Sequence, residues 1–161
     1  MRTQKQKGFS LIELLIVVAI ILIIAAIAIP NLLRSKMAAN EASAVASLRT
    51  YNTAIVSYQT TYNTDPATDF SQLGPSSTPS SAAADLVDNL LGAAGTPTKS
   101  GYSFTYTPGA VTSGIISTYT ILAVPLTANV TGQREFFTDQ SGVIRQTTDS
   151  TTPTVASQPI G

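Results

Sequence analysis

Apolar residues follow three different rhythms along this chain, and each predicts a different element. From Phe9 to Ile29 they are continuous: 19 of 21 positions are apolar, Ser10 and Glu13 being the exceptions. As a helix that run is about 31 Å long, enough to cross the hydrocarbon of a bilayer. After Pro30 the pattern becomes periodic. Leu33, Met37, Glu41, Ala44, Leu48, Tyr51, Ile55, Tyr58 and Tyr62 recur at steps of three or four, one stripe along a helix. Together the two stretches predict one helix from about Phe9 to Tyr62, bent or locally unwound at Pro30, because proline removes an amide donor and crowds the preceding turn. Two helices broken at Pro30 is the alternative.

From Asn63 the chain turns to Pro, Ser, Thr, Asp and Gly. Asn63–Ser81 reads as an irregular connection punctuated by Pro66, Gly74, Pro75 and Pro79. Ser80 or Ser81 is placed to cap a short helix, about Ala82–Leu91, that ends before Gly92 and turns Leu86, Val87 and Leu90 to a core. The third rhythm is alternation. Tyr102, Phe104 and Tyr106 alternate with Ser103, Thr105 and Thr107, a half-buried strand ending at Pro108-Gly109. Ile115–Val124 reads as a second strand, apolar on both faces and therefore central. Arg134–Thr138 and Val143–Gln146 form a hairpin across Asp139-Gln140-Ser141-Gly142. The polar stretch from Thr147 is expected to fray. The fold class is α+β: a long amino-terminal helix, with a membrane half and an amphipathic half, packed on a small carboxy-terminal antiparallel sheet. Its segments are 1–8 ahead of the helix, 9–30 apolar helix, 31–62 amphipathic helix, 63–101 loop with a short helix, 102–146 sheet and 147–161 polar tail.

Composition narrows the chemistry. The 161 residues suit one modest domain, and outside the apolar run about 50 of the remaining 140 are apolar, enough for a small core. There is no Cys and no His, which removes thiol nucleophiles, the Ser-His-Asp triad, haem and iron–sulfur ligation, ordinary zinc sites and disulfide staples. Arg2, Lys5 and Lys7 precede the apolar run with no acid among them, whereas the rest of the chain carries six basic residues against nine acids. No basic run follows Lys7, so no nucleic-acid partner is expected.

A basic stretch before an apolar run first suggests a secretory signal peptide. The length of this run, and the absence of a small-x-small site around Ile29-Pro30-Asn31, favour a retained membrane helix whose basic end is cytoplasmic. Glu13 is not explained by an anchor. A carboxylate inside such a run either reaches water at the interface or has a partner.

The string Lys7-Gly8-Phe9-Ser10-Leu11-Ile12-Glu13-Leu14-Leu15, continued through the apolar helix to Ala28-Ile29-Pro30, resembles the prepilin processing signal of type IV pilins and type II secretion pseudopilins. The likeness is strong over about the first 60 residues and holds only in outline beyond, where long helix, loop and antiparallel sheet follow in the order found in that family. The resemblance implies cleavage after Gly8 by a prepilin peptidase and N-methylation of Phe9, the new first residue. It also implies that Glu13 pairs with the amino group of Phe9, its own or a neighbouring subunit's, and that Phe9 and Glu13 guide assembly. A residue without Cβ at position 8 suits close approach by a protease.

Other candidates weigh less. Asp139 offers oxygen near the place where major pseudopilins of this family bind calcium. Calcium wants six or more oxygens with several carboxylates, and only Glu135 and Asp149 are near in sequence, so a plain turn is favoured and no cofactor is expected. Asp85 and Asp88 read as a solvated helix face. Asn129-Val130-Thr131 fits a glycosylation pattern that is common by chance. The tyrosines of the stripe read as packing; the gap from Phe9 to Tyr51, roughly 60 Å of helix, speaks against electron transport along one subunit. The expected function is a structural subunit, not an enzyme. It belongs to a type IV pilus-like filament, is held in the bacterial inner membrane as a single-pass protein with a cytoplasmic amino terminus, and is assembled after leader cleavage into an extracellular or periplasmic filament. Its expected partners are other copies of itself, the prepilin peptidase, pilus or secretion assembly machinery, and membrane lipid before assembly. A major pseudopilin of a type II secretion system is the alternative, and a membrane-anchored enzyme or binding protein a distant one.

Overall fold

A computed structural model describes residues 8–113, 115–148 and 151–160. The expected leader residues Arg2, Lys5 and Lys7 therefore lie outside the described residues, as does Asp149. The chain divides between Ser35 and Lys36 into two units.

The first unit is the apolar part of helix α1 (Leu11–Tyr62). Its large apolar side chains are all exposed, Leu11 at 79% and Ile24 at 60%, the breadth of apolar face of a helix that is apolar all round. Pro30 lies inside the helical run, so the backbone neither unwinds there nor separates into two helices.

In the second unit the same helix turns amphipathic. Glu41, Ala44, Ser47, Leu48, Tyr51, Ala54, Ile55 and Tyr58 are buried, the stripe the spacing predicts from position 41 onward. They pack on a sheet. Among the described residues the strands are β1 (Thr98–Lys99), β2 (Tyr102–Pro108), β3 (Val111–Thr112), β4 (Ile115–Ile116), β5 (Tyr119–Pro125), β6 (Glu135–Asp139), β7 (Arg145–Thr147) and β8 (Gln158–Pro159). The main sheet runs β1-β2-β5-β6-β7-β8, every neighbour antiparallel, and β3 pairs with β4 apart from it. Tyr102 and Phe104 of β2, Tyr119, Ile121 and Ala123 of β5 and Phe136 of β6 face the helix and close the core. Tyr51 sits at its centre, 4.1 Å from the Phe70 ring and 5.7 Å from Phe104. Each large apolar side chain buried this way contributes about 1.5–3 kcal/mol.

Three expectations are corrected. No helix forms at Ala82–Leu91. Asp85 is left-handed, with φ 54°, which a right-handed helix does not accept, and these residues are turns tied to the preceding loop by Asp85 N–H to Gly74 O at 2.8 Å and Leu86 N–H to Leu73 O at 2.9 Å. Val87 and Leu91 are the buried pair, while Leu90 is exposed. The short helix of this region is instead a 3-10 turn, Phe70–Leu73, capped by Asp69, whose carboxylate accepts Ser71 N–H. The second expected strand is also divided. Gly109 N–H bonds Thr118 O, so Ile115–Ile116 leaves with the β3–β4 hairpin and the central strand starts at Tyr119. Lastly, the described part of the tail does not fray, because Gln158–Pro159 joins the sheet as its edge strand.

Candidate functional site: the amino-terminal segment

Gly8 and Phe9 precede α1 and are both exposed, Phe9 at 84%. Ser10 stands at the N-cap position, with Leu14 N–H bonded to its carbonyl at 3.2 Å. Glu13 lies in the first turn, and its Oε2 accepts the Ser10 backbone N–H at 2.9 Å. This is one half of a capping box: Ser followed three residues later by Glu, whose carboxylate satisfies an amide that the helix leaves unbonded. The spacing Ser10-x-x-Glu13 was available in the sequence as a helix-start signal. A carboxylate also suits the partial positive charge of a helix amino terminus. One carboxylate oxygen is thus held two residues from the bond expected to be cut. Beyond it Leu11, Leu14, Leu15, Val18, Ala19 and Leu22 line a shallow groove with almost no polar surface.

The remaining sequence candidates separate. Asp139 is buried, and its Oδ1 accepts both the N–H and the hydroxyl of Ser141 while its carbonyl takes Gly142 N–H, which closes the β6–β7 turn. Among the described residues no group of three acids gathers to hold a metal. Asp85 and Asp88 do not share a helix face. Asp88 Oδ2 meets Lys99 Nζ at 2.7 Å and its Oδ1 accepts Leu90 and Leu91 N–H; the Lys99 bond and the Leu91 amide hold the Asp88 carboxyl below the usual 3.8. Asn129 is exposed in a left-handed turn. Tyr51 and Tyr58 donate to Leu91 O at 2.9 Å and Ser81 O at 2.6 Å, fastening the loop to the helix. Burial pushes the Tyr51 phenol far above its ordinary range.

Sequence reading placed Glu41 in the stripe without assigning it a role. It is the polar tie between helix and sheet: Oε1 accepts Gln133 N–H at 2.8 Å and Arg134 N–H at 3.2 Å, and Oε2 meets Arg134 Nε at 2.8 Å. Arg134 also donates to Gln146 Oε1 at 2.8 Å and lies over the Phe136 ring. Its helical register with Ala44 and Leu48 showed where it points; nothing local showed that an arginine 93 residues later meets it.

Two comparisons bear on the amino-terminal segment. The family model described as a prokaryotic N-terminal methylation motif matches residues 3–29. The chain is similar to the type IV wide pilus major component PilA4 of Thermus thermophilus, 60% identical over 42 residues, which are 26% of this chain and 32% of that protein. The amino-terminal segment carries this methylation motif and is similar to that of a type IV pilin. The match spans about a third of the length of its pilin relative. No solved structure gives a significant match. Behind that segment the chain has the pilin-like order, one long apolar helix followed by an antiparallel sheet, with the helix's second half packed on it.

Proposed function

We propose that this chain is a structural subunit of a type IV pilus-like filament and not an enzyme. It would be stored in the inner membrane with its amino terminus cytoplasmic, cut after Gly8, methylated on Phe9, and extracted so that the apolar helices bundle in the filament core with Pro30 as the bend. The observation that carries the reading is the joint presence, in one segment, of the methylation motif, Glu13 at the helix start and an apolar helix exposed on every side. In water that surface would drive aggregation. Lipid and neighbouring helices are the two surroundings in which it is stable. The partners follow: lipid first, then other copies, with the prepilin peptidase and an assembly machine acting between.

Glu13 carries the mechanism. In a filament core each charge alone costs several kcal/mol, and the Glu13 carboxylate and Phe9 ammonium are tolerable as a pair. With Oε2 on the Ser10 amide, Oε1 is left for the amine. The test is intact mass of the protein and electron microscopy of filaments, for wild type and Glu13→Ala. Wild type should begin at methylated Phe9 and form filaments on the cell surface; correctly processed Glu13→Ala should insert in the membrane but lose filaments. A start at Met1 or beyond Ile29, or wild-type filament levels from Glu13→Ala, overturns the reading. Short filaments confined to the periplasm would move it to the major pseudopilin of a secretion system.

A further inference from the structure

Phe136 and Phe137 are neighbours in β6, so their side chains leave opposite faces of the sheet. Phe136 joins the helix-side core; Phe137 points away from it yet is only 8% exposed. Register places Thr105, Leu122, Phe137, Arg145 and Pro159 in one row across β2, β5, β6, β7 and β8, on that outer face. At the end of the row Arg145 Nη1 donates to Ser157 O at 3.1 Å. The chain from Thr151 to Ile160 is fastened further by Thr147 Oγ1 to Thr151 O at 2.6 Å and by Ile160 N–H to Ile144 O at 3.0 Å. Within this mostly polar stretch Pro153 is fully buried. Residues that polarity alone would leave in water are instead seated at two ends and in the middle.

We infer that residues 151–160 form a strap that closes the open edge of β7 and keeps this sheet from pairing edge to edge with another copy. The pairing pattern supports the second half of that statement. Because Ile160 N–H bonds Ile144 O, the pairs at that register and two residues on, Gln146 with Gln158, face each other with their backbone groups. Arg145 and Pro159 lie between them, so the nitrogen of Pro159 is on the outer side of β8. A proline there offers no N–H to an incoming strand, one of the ways an exposed edge is blunted. Without the strap the bonding groups of Gln146 would be open, in a chain with no disulfide to hold its carboxy terminus. The strap acts within one chain and stands apart from the filament reading.

Hydrogen exchange on the full-length chain in detergent micelles tests it. In wild type the amides of Gln146, Gln158 and Ile160 should open together, below the protection of the β2–β5 ladder. Pro153→Ser should speed exchange at those three positions about tenfold or more and leave β2 and β5 unchanged. Unchanged exchange at the three amides overturns the strap. So does a rise spread evenly over the sheet, including one caused by unfolding, since a strap must release without the sheet. Pro159→Val keeps the strap seated and restores an outward N–H. It should aggregate faster on warming, with dye-detected β structure, and aggregation at the wild-type rate overturns the edge-blocking role.

Discussion

The two halves of α1 are one helix in secondary structure and two different objects in energy. Leu15 in the first half and Leu48 in the second are the same residue in the same backbone, 61% and 0% exposed. Leu48 has a sheet to pack on. Leu15 is left exposed among the described residues. Helix propensity and length do not distinguish the halves; the breadth of the apolar face does. A stripe about a third of the circumference wide finds its partner within the domain, and a face closed on itself stays exposed there.

Matched substitutions break or sharpen that contrast. Leu48→Ala should cost about 2–5 kcal/mol, cavity included, and Leu15→Ala should leave the folded domain unchanged, both read as thermal or denaturant unfolding of the full chain in detergent. Equal losses at the two sites would mean that the halves share one core. The next effect in size belongs to the polar tie. Glu41→Ala removes a charged acceptor from three donors and should lower stability by about 2–3 kcal/mol, with Glu41→Gln recovering part, because it keeps one acceptor oxygen.

A pH scan comes third. Tyr51, Tyr102, Tyr106 and Tyr119 have phenols raised by burial above the ordinary 10.0, Tyr102 also by the nearby Glu41 carboxylate. In the unfolded chain these phenols ionise near pH 10 while the folded chain keeps its protons. Stability should therefore be intact below pH 10 and fall as pH rises above it, with no matching change in the helicity of the apolar segment, which contains no tyrosine. Circular dichroism and tyrosinate absorbance followed together would check this. The smallest expected effect is at Lys99. Lys99→Ala loses a surface pair with Asp88 and should cost about 0.5 kcal/mol, less in high salt. Because Asp88 is held below 3.8, its contribution is present above that value and disappears as pH falls through its lower folded one.

What was legible in the sequence was what depends on near neighbours. The stripe from Glu41 to Tyr58, the alternation of Tyr102, Phe104 and Tyr106, and the turn at Asp139 each follow from spacing over a few residues. The failures share a cause in distance. Ala82–Leu91 has helix-forming alanines and leucines, but Gly74, Leu73 and Tyr51 claim its backbone, and Asp85 turns the wrong way to meet them. The tail looks loose because Pro153 and Ile160 are isolated in polar sequence; the strand that Gln158–Pro159 joins is legible, but not its free edge. Glu13 stands out as a carboxylate inside an apolar run, its assembly role comes from the resemblance alone, and its local partner, the Ser10 amide, is there to be read as a cap.

The strand order β1-β2-β5-β6-β7-β8 has a consequence in time. Apart from the short β3–β4 excursion, each strand pairs with the next one along the chain, so the sheet can zip from hairpins by closing short loops, each at little cost in entropy. The bonds between Glu41 and residues 133 and 134 span 92 and 93 residues and cannot form until β6 exists. During synthesis the helix is made first and its sheet last. The stripe of α1 must therefore wait without its partner until the strands have been made, and Glu41 can close on Arg134 only late in that interval.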